Sequence, residues 1–373
     1  AFNNNDTPGT MTAKSASNYL NRYGVLSGQN IVICTNNDSV YETARELSKA
    51  GSKVEVIDAR ENINEELISL AKQNNVNISF GNFPYNIKGD REVKSLEVAE
   101  KNNNHYKVIY EKECDLVLLS GGWSPVVHLL SHRGVKPKWN FENQCFLPTD
   151  TDEPITIAGS ALGIWTKKDC ISSGISAGLK AAKFLGIKTS TYSFPKTGGW
   201  KNKIKPLYEI KSNENRSKCF VDYQHDVTGD DVRLAHREGF ISVEHLKRYT
   251  TLGMANDQGK MGNIIGLAIM ADLLDKDISE VGTTIFRPPY TPISIGVLAG
   301  RNVNKHFRPL RATPLHDWNI DHGARMIETG LYQRPWYYPK LNETLSQSYI
   351  REAETVRKTV GLCDVTSLGK ISI

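Results

Sequence analysis

The chain has 373 residues, a formal net charge of +5, 39% hydrophobic and 23% charged residues, the make-up of an ordinary soluble protein with two or three domains' worth of chain. That composition excludes a largely disordered chain, and no apolar run approaches the ~18 residues a membrane span needs. The charge excess is small and spread out, which argues against a dedicated nucleic-acid binder.

Residues 11–60 read as helix, strand, helix, strand. NIVICTNN (30–37) is a short apolar strand entering a turn. SVYETARELSKAG (39–51) has helical spacing at Val40, Ala44, Leu47 and Ala50, with Gly51 where a helix end wants positive φ. KVEVIDAR (53–60) alternates as a second strand, giving a βαβ unit of dinucleotide-binding size. Its turn, however, is Thr35, Asn36, Asn37, Asp38, Ser39 and Val40, so every glycine of the expected GxGxxG is replaced. Asp38 also brings negative charge to the phosphate position. Asp58 ends the second strand where an acid would bind ribose, but strands often end in Asp. We read this half as retained for packing.

NISFGN, HYKVIYEKE and CDLVLLSGG, within residues 77–122, carry apolar or alternating strand patterns. Residues 155–186 read as a strand, a small-residue turn and a helix with Ile171, Ile175, Leu179 and Ala182 along one face. The N-terminus of that helix points its N–H groups at whatever occupies the turn. Residues 228–274 are strongly helical, with Thr228 and Asp231 as a capping-box variant and Ser242 as a second cap. Asp222, His225 and Asp226 read as a polar turn capping a helix in preference to a metal site. Residues 281–301 are proline-dense, with Pro288, Pro289 and Pro292 forcing an extended path. Their apolar residues need cover, which points to a domain crossing or a subunit contact.

The six cysteines, Cys34, Cys114, Cys145, Cys170, Cys219 and Cys363, form no CxxC pair, so no zinc or redox motif is visible and a reducing, cytoplasmic setting is the simpler reading. The chain opens AFNNND without an initiator methionine and closes LGKISI, whose alternation reads as the start of a strand. We therefore expect an internal fragment, cut inside a domain at both ends.

The pair LLSGGWSP and TIAGSALG…AGLKAA resembles the two closing motifs of two-dinucleotide-fold flavoprotein disulfide reductases. The stretch TPGTMTAKSASNYLNRYGVLSGQNIVICTNNDSVYETARELSKAG resembles the α subunits of heterotetrameric sarcosine oxidases, including the degenerate TNNDS turn. That resemblance implies an NAD held by a dinucleotide fold whose GxGxxG lies upstream. Gly159, Ser160, Ala161, Ile164 and Thr166 match the returning loop that contacts it. For each residue singly, a Gly/Ala turn packing a helix on a sheet is an equal alternative.

Residues 228–274 resemble the small helical module that carries a [2Fe–2S] cluster on four Cys thiolates. Here the matching positions are Asp222, Gln224, Asp257 and Gly262. None offers the soft thiolate a cluster needs, so no cluster is expected. The resemblance sets residues 281–301 towards a β subunit, near an FMN at the interface. Arg287 faces either the flavin or a carboxylate, against the alternative of a local pairing.

ATPLHDWNIDHGARMIETGLYQRPWYYP (312–339) and REAETVRKTVGLCDVTSLGKISI (351–373) resemble the opening of the glycine cleavage T-protein (aminomethyltransferase) family, whose domain binds tetrahydrofolate. The matching elements are Thr313, Pro314, Leu315 and His316; Trp318; His322, Gly323 and Ala324; Trp336; Val356 and Arg357; Gly361 and Leu362; Asp364, Val365 and Thr366; and Lys370. EAETVRKTVGL is expected to be a helix with Ala353, Val356 and Val360 inward, Gly361 breaking it and Asp364 opening the next turn. His316, Asp317 and His322 read as ties for the N-terminal element more than as an acid–base cluster.

The expected fold class is α/β: a Rossmann-like two-dinucleotide-fold flavoprotein segment, a small helical cluster-type module and the start of an α+β aminomethyltransferase-like domain. The expected domains are 1–200, a NAD(P)H-type half with the returning segment; 201–300, the bare module and a Pro-rich linker; and 301–373, the truncated folate-binding start. The resemblance implies oxidative demethylation of sarcosine to glycine, with O₂ reduced to H₂O₂ and the one-carbon unit passed to tetrahydrofolate as 5,10-methylenetetrahydrofolate. It implies NAD, FMN at the α/β interface, FAD in the β subunit, and β, γ and δ partners. No catalytic residue is expected in this piece, which alone is expected to be inactive. N-methylglutamate dehydrogenase, whose large subunit is similar, remains an alternative, as do a noncatalytic NAD-binding scaffold and a disulfide reductase with an upstream CxxxxC.

Overall fold

The structure is a computed structural model that describes residues 1–103, 105–189, 204–210, 218–369 and 371–372. It divides into two compact units, Ala1–Thr291 and Pro292–Ile373.

The first unit is built on a five-stranded parallel sheet: β1 (Thr10–Thr12), β2 (Asn30–Thr35), β3 (Lys53–Asp58), β4 (Asn77–Phe80) and, last in sequence, β8 (Leu116–Ser120), in spatial order β1-β8-β2-β3-β4. Helices α1 (Ala13–Tyr23), α2 (Tyr41–Lys49) and α3 (Glu65–Gln73) make the crossovers. The expected Rossmann-like fold is therefore present. The two-residue period of a strand splits the core cleanly. Ile31, Ile33, Val54, Val56, Leu116 and Leu118 face the helices. Val32, Cys34, Ile57 and Val117 face an antiparallel meander of β5 (Asn82–Lys88), β6 (Ser95–Asn102) and β7 (His105–Glu113). Val40, Ala44 and Leu47 are buried as the spacing predicts, and Gly51 takes φ +106°. Ala50, at the helix end, is exposed.

After the short helix α4 (His128–Ser131) and the hairpin β9 (Lys138–Asn140) and β10 (Cys145–Leu147) comes α5 (Lys167–Phe184). The expected strand at 155–159 does not form, because it has no neighbouring strand to bond among the described residues. The expected inward face of α5 is also uncovered: Ile171 is exposed, and Ile175, Leu179 and Ala182 are half-buried. The helix forms from its own spacing and its Thr166 cap, but no described layer packs fully against it.

The helical module follows the pair β11 (Phe220–Asp222) and β12 (Val227–Thr228). It comprises α6 (Gly229–Arg237), α7 (Val243–Thr250), α8 (Asn263–Leu274) and the single turn α9 (Ile278–Val281). Thr228 and Asp231 form the anticipated capping box, whereas Ser242 occupies its N-cap position without a side-chain bond. Apolar α8 is the module's axis, with Gly266, Leu267, Ala268, Ile269, Met270 and Ala271 all buried.

In the second unit, α10 (Ile295–Ala299) precedes a three-stranded sheet ordered β13-β15-β14, from β13 (Arg311–Ala312), β14 (Arg325–Thr329) and β15 (Tyr332–Tyr337). Helix α11 (His316–Asp321) leads into it, and α12 (Leu345–Lys358) follows it behind a Thr344–Gln347 capping box. The C-terminal helix ends at Lys358, before Gly361, and Ala353, Val356 and Val360 are exposed instead of inward. Its own apolar spacing marks a face that needs cover, and nothing described in this unit supplies it. Asp364 does open a turn, accepting the Thr366 N–H at 2.9 Å. No strand forms in the described residues of 368–373. Among the described residues no helix is long and apolar enough to cross a membrane.

Candidate functional site

In an open parallel sheet, ligands bind beyond the carboxyl ends of the strands where the strand order reverses. Here that point lies between the ends of β2 and β8, and the chain fills it with its own polar side chains. Fully buried Asn37 donates from Nδ2 to Ser120 O at 3.0 Å and to Asn36 Oδ1 at 2.9 Å. Its Oδ1 accepts the Ser39 N–H at 3.0 Å and the Ser39 hydroxyl at 2.6 Å. Thr35 Oγ1 donates to Asn37 O, 3.0 Å away, and lies 3.2 Å from Ser120 O. The N–H that a phosphate would need at Ser39 is thus already satisfied.

The acid at the end of β3 is consumed in the same way. Asp58, fully buried, accepts the Tyr41 hydroxyl at 2.7 Å. It also accepts the Arg60 N–H at 2.9 Å, Nε at 3.0 Å and Nη2 at 2.8 Å. Arg60 Nη1 lies 2.5 Å from Asp38 Oδ1. Burial works against the Arg60 cation, but the bonded Asp58 and Asp38 carboxylates outweigh it and hold the group above the ordinary arginine range. Burial, then the Asp58 charge, pushes the Tyr41 phenol up. Asp38, the residue that spoils the phosphate turn, and Asp58, the candidate ribose acid, are two ends of one ion-pair network, buried at Asp58 and half-buried at Asp38. Sequence reading passed over Arg60, although an Arg two residues beyond a strand-ending Asp is a visible signal for it.

The returning loop is a short turn, Gly159–Leu162, followed by the start of α5. Gly159 takes φ +65° and donates its N–H to Ser173 Oγ at 2.8 Å. Ile164 O accepts the Cys170 thiol at 3.2 Å. Thr166 caps α5, accepting the Asp169 N–H at 3.2 Å and donating its hydroxyl to Asp169 Oδ2 at 2.6 Å. Ser160 is exposed; Gly159, Ala161, Ile164 and Thr166 are half-buried. The five residues lie together on an accessible surface. A Cβ on Gly159 would meet nothing closer than Cys170 Sγ at 3.8 Å, so the turn has room beside it.

In the helical module the four positions aligned with cluster ligands converge, and protein fills the hollow. Asp222 Oδ1 accepts the N–H groups of Gln224 at 2.9 Å and His225 at 3.1 Å. Its Oδ2 accepts the Gly253 N–H at 2.9 Å and lies 3.2 Å from His225 Nδ1. Asp257 accepts the Gly259 N–H at 2.8 Å. Burial and then the Asp222 charge hold its carboxyl above the usual range, so the two acids sense each other. A Cβ on Gly262 would sit 2.3 Å from Val221 O, so no side chain fits there without moving backbone. Cys219 lies among Glu209, Arg233 and Asp230 instead. Asp222 organises a turn, and among the described residues no group of three or more His, Cys, Asp or Glu side chains is arranged to hold a metal.

Between these parts of the first unit lies a cavity of about 830 Å³. The ends of β2 and β8, residues 121–125, residues 204–210 and the segment entering α8 line it, with the rings of Phe286 and Tyr290. No motif announced it, because it is assembled from segments far apart in sequence. Arg287, between these two residues in sequence, is exposed, with its backbone bonded to Gln258.

In the second unit His316, Asp317 and His322 do not form an acid–base relay. Asp317 is exposed, and His322 Nδ1 lies 2.7 Å from Trp318 O with its ring stacked on Trp318 at 3.8 Å. His322 thus ties down the end of its own helix. Buried Asn319 accepts the Tyr338 hydroxyl at 2.6 Å, pinning that helix to the sheet.

Residues 216–301 match the Sarcosine oxidase A3 domain, and residues 315–373 match the GCVT N-terminal domain. The chain is 37% identical over 376 residues to the Rhizobium meliloti (strain 1021) protein named Sarcosine oxidase subunit alpha, matching 100% of this chain and 37% of the relative. A Corynebacterium sp. (strain U-96) protein of the same name is 36% identical over 381 residues, with 100% and 39% covered. Among solved structures, L-proline dehydrogenase from P. horikoshii superposes with a TM-score of 0.56 over 80% of this chain and 55% of that one, at 19% identity, a likeness of fold. This chain spans well under half the length of the curated relatives. From end to end, it is similar to part of the proteins named Sarcosine oxidase subunit alpha.

Proposed function

We propose that this chain is part of the α subunit of a multi-subunit sarcosine oxidase. The reaction is oxidative demethylation: sarcosine, O₂ and tetrahydrofolate give glycine, H₂O₂ and 5,10-methylenetetrahydrofolate. The observation that carries this reading is similarity along the whole chain at 36–37% identity to proteins with that name.

The division of labour follows from the chemistry of each part. The turn at Gly159, Ser160, Ala161, Ile164 and Thr166 has space beside Gly159 and lies at the start of α5, a suitable edge for NAD when the rest of a dinucleotide fold packs on it. The crevice of β2 and β8 is closed by Asn37 and the Arg60 network, and takes no part in that role. Arg287, a surface cation, faces FMN at the interface with a β subunit, which carries FAD; γ and δ subunits complete the assembly. The flavins supply the two-electron chemistry when bound. The second unit begins the domain that receives the one-carbon group. The helical module carries no iron–sulfur cluster, since its aligned positions offer carboxylate, amide and glycine in place of thiolate. The complex works in the cytoplasm.

The test is reconstitution. The complete complex turns over sarcosine with tetrahydrofolate-dependent product, while the 373-residue chain alone gives none; turnover by the chain alone would overturn the assignment of chemistry to its partners. One feature favours a second reading, a noncatalytic scaffold: the closed β2/β8 crevice. Titration of the full-length subunit separates the two, because a scaffold of this kind binds no tetrahydrofolate.

A further inference from the structure

Residues 283–290 run against the helical module as a strap without regular secondary structure, bending at Pro288 and Tyr290 instead of keeping the extended path the prolines predict. Pro288 and Pro289 lack N–H donors, and the segment belongs to no sheet. Side chains of the module read its backbone instead. Glu244 Oε1 accepts the Ile285 N–H at 2.9 Å. Gln258 clasps the strap from both sides of its amide: Oε1 accepts the Arg287 N–H at 2.8 Å, and Nε2 donates to Arg287 O at 2.7 Å and Pro289 O at 3.1 Å. Lys260 Nζ donates to Tyr290 O at 2.8 Å and stands 4.4 Å from the Tyr290 ring centre. At the strap's start, Asn263 Nδ2 donates to Thr283 Oγ1 at 3.1 Å.

These fastenings hold two rings against the cavity. Phe286 and Tyr290 both line it and meet edge to face at 5.1 Å. On another side, Tyr290 stacks on His128 at 4.3 Å, with the planes only 8° apart. The strap is thus one wall of the cavity, fastened at its base to the module and at its end to the segment that follows β8. The bonds from Glu244 and Gln258 are solvent-exposed. Exposed side-chain-to-backbone bonds are individually weak and belong to the part of a protein that opens without global unfolding.

We propose that residues 283–290 form a detachable wall of the cavity, a latch with Gln258 as its principal fastening, that opens as a unit while α8 stays folded. Gln258 is a positioning residue: through the backbone of Arg287 and Pro289 it sets where Phe286 and Tyr290 stand, and so the width of the cavity available to a small molecule.

Native-state hydrogen exchange on the 373-residue chain tests this, comparing Gln258→Ala and Gln258→Glu with the parent. In Gln258→Ala the amides of Arg287 and Ile285 exchange faster together, by about tenfold or more, although only Arg287 touches Gln258. The amides of Leu267, Ala268, Ile269 and Met270 in α8 keep their parent protection. Gln258→Glu retains an acceptor for the Arg287 N–H but turns a carboxylate towards Arg287 O and Pro289 O, and it accelerates the same pair. Acceleration of Arg287 alone would mean that Glu244 holds its own end independently, and would overturn the unit. Equal acceleration in α8 would make the strap part of the module's global unfolding, and no change would remove Gln258 as the fastening; either result defeats the proposal.

Discussion

Replacing Arg60 by alanine tests whether the nucleotide-type half has been converted from a binding site into a structural lock. Four hydrogen bonds converge on fully buried Asp58, two of them from the Arg60 guanidinium at 3.0 and 2.8 Å. Arg60→Ala removes those two and leaves the Tyr41 hydroxyl and the residue-60 N–H. Breaking a buried ion pair by deleting one partner costs ~3–5 kcal/mol, because the surviving charge stays desolvated and unpaired. Two bonds persist here, so the lower end, about 3 kcal/mol, is expected. Arg60→Lys recovers only part of it, since an ammonium cannot make the forked contact to both Asp58 oxygens and still reach Asp38. The assay is urea unfolding, with hydrogen exchange at Val32, Ile33, Val56 and Ile57 assigning the transition to this sheet. In an Asp58→Asn background the Arg60→Ala penalty shrinks by at least ~1 kcal/mol, the coupling expected of direct partners. A loss under ~1 kcal/mol in the parent, or full additivity with Asp58→Asn, would refute the lock.

The module gives two further expectations. Gly262→Ala puts a methyl 2.3 Å from Val221 O; backbone must shift, and a loss of roughly 1–3 kcal/mol follows, read as a lowered midpoint for exchange of the α8 amides. Asp257→Asn keeps an acceptor for the Gly259 N–H and removes a charge that burial and Asp222 both oppose. Because the Asp257 carboxyl titrates above its unfolded value, its protonated form favours folding. That stability is fully present below the ordinary carboxylate range and is lost as pH rises through the folded value. The Asn variant is therefore more stable than the parent at neutral pH and converges with it in acid, as thermal melts from pH 3 to 7 would show; a constant difference would contradict the sign. His128 behaves oppositely. Burial, His132 and Lys260 hold its pKa below the usual histidine value, so its stability contribution is lost as pH falls through that folded value. His128→Phe keeps a ring on Tyr290 and flattens this acid limb.

Much of the first unit was legible because its strands carry their own geometry. The apolar run in residues 30–37 and the alternation in 53–60 marked two strands, whose two buried faces the structure shows, and the Thr228–Asp231 spacing marked a helix start that the structure caps as expected. Two kinds of feature were hidden. Apolar spacing tells which face of a helix wants cover and not what covers it, so Ile171 on α5 and Val356 on α12 were expected inward and are exposed. The cavity was invisible for a different reason: its walls are turns and a strap, which have no period, brought together from opposite ends of the unit. The five returning-loop residues were named through resemblance, and local bonding explains why physics alone did not single out Gly159, Ile164 and Thr166: each serves the turn or the helix cap as it stands.

Two turns in this chain are built around carboxylates by the same device. In the sheet, the carboxylates of Asp38 and Asp58 are answered by Arg60; in the module, that of Asp222 is answered by the backbone N–H groups of Gln224, His225 and Gly253. In both places an acid collects the surrounding donors, and the turn is held by hydrogen bonds of the chain's own groups. Each of these N–H groups, left buried and unpaired, would cost about 1–3 kcal/mol. The two plugged elements then serve as walls: Thr35, Asn36, Ser39 and Ser120 from one, Gly259, Lys260 and Asn263 from the other, face the common cavity.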